Sequence, residues 1–159
     1  TYPLPEAQRD RFLMQIDVGY PSLADEKKMV LETTGRDEAA PKTLYNADQL
    51  KNLQAEIRKM PVGEKLLDTA VELVAALRPS AKASELTAYI EWGPGPRASQ
   101  TLISTAKAHA FLQGRSAPVV EDIEYLAVPV LKHRMAVTMG ARAEGKSTDD
   151  MIRRAVNAI

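Results

Sequence analysis

The sequence predicts a mainly α-helical chain of 159 residues, in which one strand precedes about six helices. Two patterns carry this prediction. Apolar residues recur at three- and four-residue spacing through most of the chain after residue 21, whereas near the N-terminus they alternate at period two. The composition is 45% hydrophobic and 26% charged, as in an ordinary globular protein.

The composition also excludes several classes of function. Lys and Arg number 21, and so do Asp and Glu, which argues against binding nucleic acid through bulk positive charge. The absence of cysteine excludes disulfides, thiolate chemistry and cysteine zinc sites. No run approaches the roughly 18 to 20 apolar residues of a membrane span. We therefore expect a cytoplasmic protein with no nucleic-acid partner and no membrane span.

The predicted strand covers residues 12–18, where Phe12, Met14, Ile16 and Val18 occupy alternate positions. It ends at Gly19-Tyr20-Pro21. A lone strand cannot satisfy its own backbone groups, and the sequence offers few other strands to pair with it. The chain also begins Thr1-Tyr2-Pro3, without methionine. Both features lead us to expect a piece of a longer protein.

Local signals mark the ends of the helices in the first half. Ser22 followed by Asp25, and Asn46 followed by Gln49, are typical helix starts, and Gly35 is a stop before a polar connector over 35–41. Two helices with a buried apolar stripe follow. The first stripe is Leu50, Leu53, Ile57 and Met60, and its helix ends at Pro61. The second stripe is Leu67, Ala70, Val71, Val74 and Leu77, and its helix ends at Pro79.

The second half continues the helical pattern. Residues 85–91 predict a short helical piece, and a rigid turn over 92–96 follows. Pro96 suits the first position of a helix that ends near Gly114. Another helix runs from about Val120 toward Pro129, which should kink or end it. Ser147 and Asp150 cap a last helix, whose predicted buried face is Ile152, Ala155, Val156 and Ile159.

Residues 140–147 match the phosphate-loop pattern G-x-x-x-x-G-K-[ST] letter for letter. A true phosphate loop needs a strand before it, a helix after it and a parallel sheet around it. Residues 137–139 make a poor strand, and only twelve residues follow Ser147. We therefore interpret the match as a glycine-punctuated loop in which Ser147 caps the last helix.

Two arginines are candidate site residues. Arg11 lies just ahead of the predicted strand, either in an ordinary surface ion pair or at a subunit edge, where it would stabilise phosphate charge in a neighbour. Arg97 lies in the first turn of a helix, where it opposes the helix dipole unless an anion binds there. A solvated turn arginine is the alternative. His109 and His133 show no metal-ligand spacing, so we expect them to be structural and predict no metal site.

Several blocks of sequence carry a family resemblance. They are Tyr2-Pro3-Leu4-Pro5-Glu6-Ala7-Gln8, Asp10-Arg11-Phe12, Gly19-Tyr20-Pro21, Pro96-Arg97-Ala98, Gly114-Arg115 and Val130-Leu131-Lys132-His133-Arg134. In order and rough spacing, across the whole chain, these blocks resemble the MoxR family of AAA+ ATPases.

The resemblance implies the C-terminal half of such an ATPase. Residues 1–20 would be the C-terminal edge of the truncated αβα core, with its last strand, and residues 21–159 the helical lid with an inserted linker helix near 47–60. Arg11 would match the arginine finger and Arg97 the sensor 2 arginine. The Walker A and B motifs would lie upstream, so the fragment alone should be inactive and hold no cofactor.

For the parent protein, the resemblance implies a homo-hexamer that uses ATP and Mg²⁺. It would act as a chaperone-like ATPase that activates or assembles metalloproteins and other complexes, together with a von Willebrand factor A domain protein. A different class of function, a non-catalytic helical protein-interaction module, accounts for the apolar stripes and the neutral charge. It does not account for the lone strand or for an arginine at a helix start.

The sequence departs from the family pattern at three places. Arg9 replaces an apolar residue before Asp10-Arg11, so Arg9 is an alternative finger. Gly93-Pro94-Gly95 replaces the more usual Gly-Ala-Ser. Val119-Val120 replaces a Thr-Pro helix start, which removes a cap worth about 1 kcal/mol.

Overall fold

The structure is a computed structural model that describes residues 2, 4–35, 42–79 and 84–159. It divides into two compact units, one made of Thr1–Gln15 and Ala55–Ile159 and the other of Ile16–Gln54. In chain order the elements are α1 (Glu6–Arg9), α2 (Leu23–Thr34), α3 (Ala47–Lys59), α4 (Glu64–Ala76), β1 (Ile90–Trp92), α5 (Pro96–Leu112), α6 (Val120–Leu131), β2 (Ala136–Val137), α7 (Met139–Ala143) and α8 (Thr148–Val156). The mainly α fold class is confirmed.

The unit Ile16–Gln54 contains α2 and most of α3, and both begin as their capping residues predict. The Ser22 hydroxyl accepts from the Asp25 N–H at 3.2 Å, and α2 ends at Gly35. At α3, the Asn46 N–H donates to the Gln49 side chain at 2.9 Å, and the Gln49 N–H donates to the Asn46 side chain at 2.8 Å. Neither helix has a fully buried residue. The polar connector lies outside the described residues from 36 to 41.

The predicted strand over 12–18 is wrong. In the described part of the chain these residues pair with no strand. Met14 is partly buried against the core, whereas the other apolar side chains are exposed, with Phe12 at 56% and Val18 at 90%. The Gln15 N–H instead donates to the Pro129 carbonyl at 2.8 Å. Alternating apolar residues suit a strand, but a strand also needs a neighbouring strand to hydrogen-bond its backbone. Residues 12–18 have no such neighbour in the described structure.

The larger unit is a helical bundle in which α5 and α6 pack on α4, and α6 and α4 contact α8. The side chains facing one another are almost entirely aliphatic. The core is formed by Leu66, Ala70, Leu73, Val74, Leu77, Ile90, Ala98, Leu102, Ala106, Ile123, Leu126, Ala127, Val130, Leu131, Met135, Val137, Ala141, Met151, Ile152 and Ala155.

The predicted α4 stripe is confirmed at Ala70, Val74 and Leu77, which are buried, and is wrong at its other two positions. Leu66 and Leu73 are buried, whereas Leu67 and Val71 are 44% and 56% exposed. Apolar residues surround more than one side of this helix, so spacing alone allows two overlapping stripes. Contact with α5 and α6 selects the one that turns Leu66 inward. In α8, Ile152 and Ala155 are buried as predicted, while Ile159 is 51% exposed.

The short helical piece predicted over 85–91 is also wrong. Only residues 87–89 form a single 3₁₀ turn, and Ile90–Trp92 forms β1, which pairs antiparallel with β2. Ile90 and Val137 face each other in this ladder, and both are buried. β-branched side chains pack well on such a pleated surface, which favours the strand once a partner strand is near.

The helix ends in this unit follow local chemistry. α5 begins with Pro96 at its first position, as predicted. Gly114 and Gly145 adopt φ values of 71° and 74° just beyond α5 and α7, and glycine populates this left-handed region without a Cβ penalty. Pro129 lies in the last turn of α6, which ends two residues later at Leu131.

Candidate functional site

The fold brings the predicted site arginines to one side of the bundle. Arg9 ends the single turn of α1, Arg11 lies in the turn that follows, and Arg97 lies in the first turn of α5. Arg97 Nη1 donates to Asp10 Oδ2 at 3.1 Å, although 87 positions separate the two residues. Asp10, which sequence reasoning did not single out as a site residue, therefore joins the segment that holds Arg9 and Arg11 to the helix that holds Arg97.

A tight turn sets where α5 begins. The Gly93 backbone lies so close to the end of α4 that a Cβ there would meet the Leu77 carbonyl oxygen at 2.1 Å. Arg78 Nε donates to the Pro94 carbonyl at 2.8 Å and ties the same turn to α4. The position of Arg97 thus depends on backbone contacts four residues upstream.

Arg134 is a second residue that sequence reasoning missed. Its side chain is 1% exposed, and it donates to both the carboxylate and the backbone of the 10–13 segment. Arg134 Nε lies 3.2 Å from Asp10 Oδ1, so the Asp10 carboxylate bridges Arg134 and Arg97. Burial lowers the pKa of Arg134 and the Asp10 carboxylate opposes that shift. The usual pKa of an arginine side chain is so high that Arg134 stays charged despite this shift. In the sequence Arg134 ends the basic run Lys132-His133-Arg134, which gives no sign of burial.

The three arginines predicted from the sequence, Arg9, Arg11 and Arg97, differ in how accessible their guanidinium groups are to another molecule. The Arg97 side chain is 52% exposed, so part of the group is open to an anion. Arg11 is exposed, and within the described ranges its side chain forms no ion pair. Arg9 lies with its guanidinium carbon 5.3 Å from the centre of the Trp92 ring, a cation–π arrangement that holds it against the protein. This favours Arg11 over Arg9 as the group able to reach another molecule.

The two histidines occupy polar networks inside the bundle. His133 Nε2 lies 3.1 Å from the Phe12 carbonyl, which assigns the proton to that nitrogen. Burial lowers the pKa of His133. His109 Nδ1 lies 2.5 Å from the buried Asp122 carboxylate, and the His109 ring stacks on Tyr125. No cluster of three potential metal ligands occurs in the part of the chain that the structure describes.

Asp122 is the centre of the second network. Arg115 donates to both of its oxygens, at 2.7 and 2.5 Å, and the Val119 N–H donates to it at 2.8 Å. The Arg115 hydrogen bonds hold the pKa of Asp122 far below its usual range. The carboxylate therefore supplies part of the helix-start bonding that the missing Thr-Pro pattern would have provided.

The literal phosphate-loop match does not form a phosphate cradle. Met139 to Ala143 are helical, and the strand before them is two residues long and antiparallel to β1. Lys146 Nζ lies 2.6 Å from Glu144 Oε2 and 3.3 Å from the centre of the Tyr89 ring. Ser147 caps α8 and accepts from the Asp150 N–H at 3.2 Å, as predicted. Gly145 and Ser147 thus serve helix ends, and Gly140 lies within α7.

Comparison with known proteins places this geometry in a family context. Residues 82–155 match the AAA lid domain family. Chaperone MoxR1 of Mycobacterium tuberculosis is 33% identical over the whole of this chain, which spans 42% of that protein. Protein MoxR of Paracoccus denitrificans is 32% identical over 85% of this chain, which spans 44% of that protein.

A solved structure from Cytophaga hutchinsonii, assigned as an ATPase, superimposes with a TM-score of 0.91. It is 33% identical and covers 99% of this chain and 49% of its own.

Over its whole length the chain is similar to MoxR-type AAA+ proteins. The predicted MoxR resemblance is therefore confirmed. α5, α6 and all but the last residue of α8 lie within the lid-domain match. The chain spans about half the length of the curated relatives that it matches. None of the helices within the described ranges is long and apolar enough to cross a membrane.

Proposed function

We propose that this chain is the C-terminal half of a chaperone-like MoxR ATPase, in which residues 1–20 end the αβα core and residues 21–159 form the lid. Arg11 is the arginine finger and Arg97 is the sensor 2 arginine. The observation that carries the proposal is the link between them, because Asp10 holds half-exposed Arg97 beside the segment from which Arg11 projects. Positive groups gathered near one point suit a transferring phosphoryl group.

The parent protein would use ATP with Mg²⁺ and form a homo-hexamer. Arg97 keeps donors available for a phosphate, and the start of α5 adds backbone N–H groups that favour an anion. The Mg²⁺ would be held by residues outside the described part of this chain, which supplies no ligand cluster for it. Hydrolysis would drive the activation or assembly of partner metalloprotein complexes, together with a von Willebrand factor A domain protein.

The proposal is tested by replacing each arginine in the full-length protein. Arg11→Ala should spare ATP binding and remove much of the hydrolysis, because a finger stabilises transition-state charge and is worth about 10³ to 10⁵ in rate in the best cases. Arg97→Ala should weaken ATP affinity as well as hydrolysis, because it contacts the ground-state phosphate. Arg154→Ala, an exposed arginine on α8, is the matched control and should change neither. Nucleotide titration and phosphate release measure the two effects.

Mixed assemblies then test whether Arg11 acts on a neighbour. Arg11→Ala subunits mixed with subunits that carry a dead upstream phosphate loop should recover part of the activity, since some interfaces combine an intact finger with an intact loop. No recovery in verified mixed hexamers would argue against Arg11. The same experiment with Arg9→Ala would then examine the alternative finger.

A helical interaction module is the second candidate, favoured by the apolar surface of α2. Leu23, Val30 and Leu31 on this helix are 79%, 47% and 75% exposed. Exposed apolar patches of this kind often mark binding surfaces. This candidate would be favoured if the full-length protein showed no ATP binding and bound its partners with the same affinity in the presence and absence of ATP.

A further inference from the structure

Arg134 directs four of its six hydrogen bonds to one short segment, residues 10–13. The side chain is fully buried, which for a charged residue requires that its donors be satisfied. Its acceptors are Asp10 Oδ1 at 3.2 Å, the Asp10 carbonyl at 3.2 Å, the Phe12 carbonyl at 2.6 Å, the Leu13 carbonyl at 3.3 Å, the Val130 carbonyl at 2.6 Å and Thr101 Oγ1 at 3.2 Å.

The segment over 10–13 needs such a partner because it has no regular structure of its own. It follows the single turn of α1 and precedes extended chain, so the carbonyls of Asp10, Phe12 and Leu13 enter no helical or strand ladder in the described structure. Backbone carbonyls need hydrogen-bond partners, and a planar guanidinium can bond several at fixed angles. The Phe12 carbonyl also accepts from His133 Nε2 at 3.1 Å. Arg134 therefore takes the place of secondary structure here.

We propose that Arg134 is a positioning residue for Arg11. By binding the backbone on both sides of residue 11, it fixes the direction in which the Arg11 side chain leaves the protein. Arg134 directly follows α6, and Asp10 also binds Arg97 on α5, so one network ties the finger segment to two lid helices. The inference rests on the proposed function, because Arg11 must act on a phosphate for its direction to matter.

The Arg115–Asp122 pair offers a matched comparison within the same bundle. Arg115 also binds a buried carboxylate through two hydrogen bonds, but among the described contacts it bonds nothing in residues 10–13. Replacement by lysine keeps the charge at either position and removes the planar fork. An ammonium has three donors, too few for the six acceptors around Arg134. Both variants should lose stability, and only Arg134→Lys should misdirect Arg11.

The experiment compares Arg134→Lys and Arg115→Lys in the full-length protein, with kcat, ATP Kd, melting temperature and assembly state measured for each. We expect Arg134→Lys to lower kcat about 10- to 100-fold, the effect of a misplacement near 1 Å, while the Kd for ATP changes less than about threefold. Arg115→Lys should lower the melting temperature and leave kcat within about twofold. In an Arg11→Ala background, Arg134→Lys should cause almost no further loss, because both changes remove the same contribution.

The outcomes separate the inference from the proposed function. Suppose that Arg11→Ala lowers hydrolysis. The inference is then overturned, and the finger assignment stands, if Arg134→Lys lowers kcat no more than Arg115→Lys does. The same holds if Arg134→Lys lowers kcat by the same factor with Arg11 present and in the Arg11→Ala background. If Arg11→Ala leaves hydrolysis intact, both are overturned. Should Arg134→Lys fail to fold, Asp10→Asn replaces it in an Arg97→Ala background. It weakens the same clamp without altering the buried arginine, and that background removes the separate contact of Asp10 with Arg97. Its kcat loss should likewise vanish in the Arg11→Ala background, and a loss that persists there overturns the inference.

Discussion

Replacing Gly93 with serine should destabilise the protein strongly, because the turn before α5 leaves no room for a side chain. A Cβ at this position would lie 2.1 Å from the Leu77 carbonyl oxygen and 2.9 Å from the Arg78 Cα, where real Cβ atoms essentially never approach within 3.0 Å. The gap would have to open by about 0.9 Å, and both neighbours are backbone atoms at the end of α4.

The magnitude follows from the kind of atom that must move. Overpacking among side chains typically costs about 1 to 3 kcal/mol. A clash between two backbone segments cannot be relieved by changing a rotamer, so we expect about 3 kcal/mol or more for Gly93→Ser. For a domain of this size, that corresponds to a fall of about 6 to 12 °C in melting temperature. The same shift would move the start of α5, and with it the Arg97–Asp10 ion pair.

Gly95→Ser, two residues away, is the matched control. A Cβ at Gly95 meets nothing within 4 Å, and Gly95 is the residue before the first turn of α5. A serine there can accept a backbone N–H of that turn, so this variant should gain a few tenths of a kcal/mol. Circular dichroism melts and urea titrations of both variants measure the difference. A Gly93→Ser protein that melts within about 2 °C of the original, or one no worse than Gly95→Ser, would refute the steric reasoning.

Three further predictions concern charged groups. Asp122→Asn should cost about 2 to 3 kcal/mol in urea denaturation because it leaves Arg115 without its counterion, whereas exposed Asp68→Asn should change stability by less than about 0.5 kcal/mol. Burial lowers the pKa of His133, so the unfolded chain takes up the proton first. The free energy of unfolding should therefore fall as pH drops below about 6.5, and a His133→Gln variant measured at the same pH values should lose less. Lys146→Ala should leave ATP hydrolysis by the full-length protein unchanged, since Lys146 bonds Glu144; abolished hydrolysis at unchanged melting temperature would contradict our interpretation of residues 140–147.

Local sequence signals were enough to locate the starts of four helices. Ser22, Asn46, Pro96 and Ser147 mark starts that the structure reproduces, because a cap or a proline acts on backbone groups within about four residues and needs no tertiary partner. The family blocks likewise identified the AAA+ relationship. Arg97 was singled out for the same local reason, as a positive charge at a helix N-terminus.

The tertiary structure decided everything that depends on a partner distant in sequence. Residues 12–18 carry a strand's alternation but pair with no strand among the residues that the structure describes, whereas Ile90–Trp92 becomes a strand because β2 lies beside it. The same dependence explains why Arg134 could not be recognised. Arginine is normally a surface residue. A carboxylate and three carbonyls from positions 10–13, together with the Val130 carbonyl and Thr101 Oγ1, stabilise its charge inside the bundle.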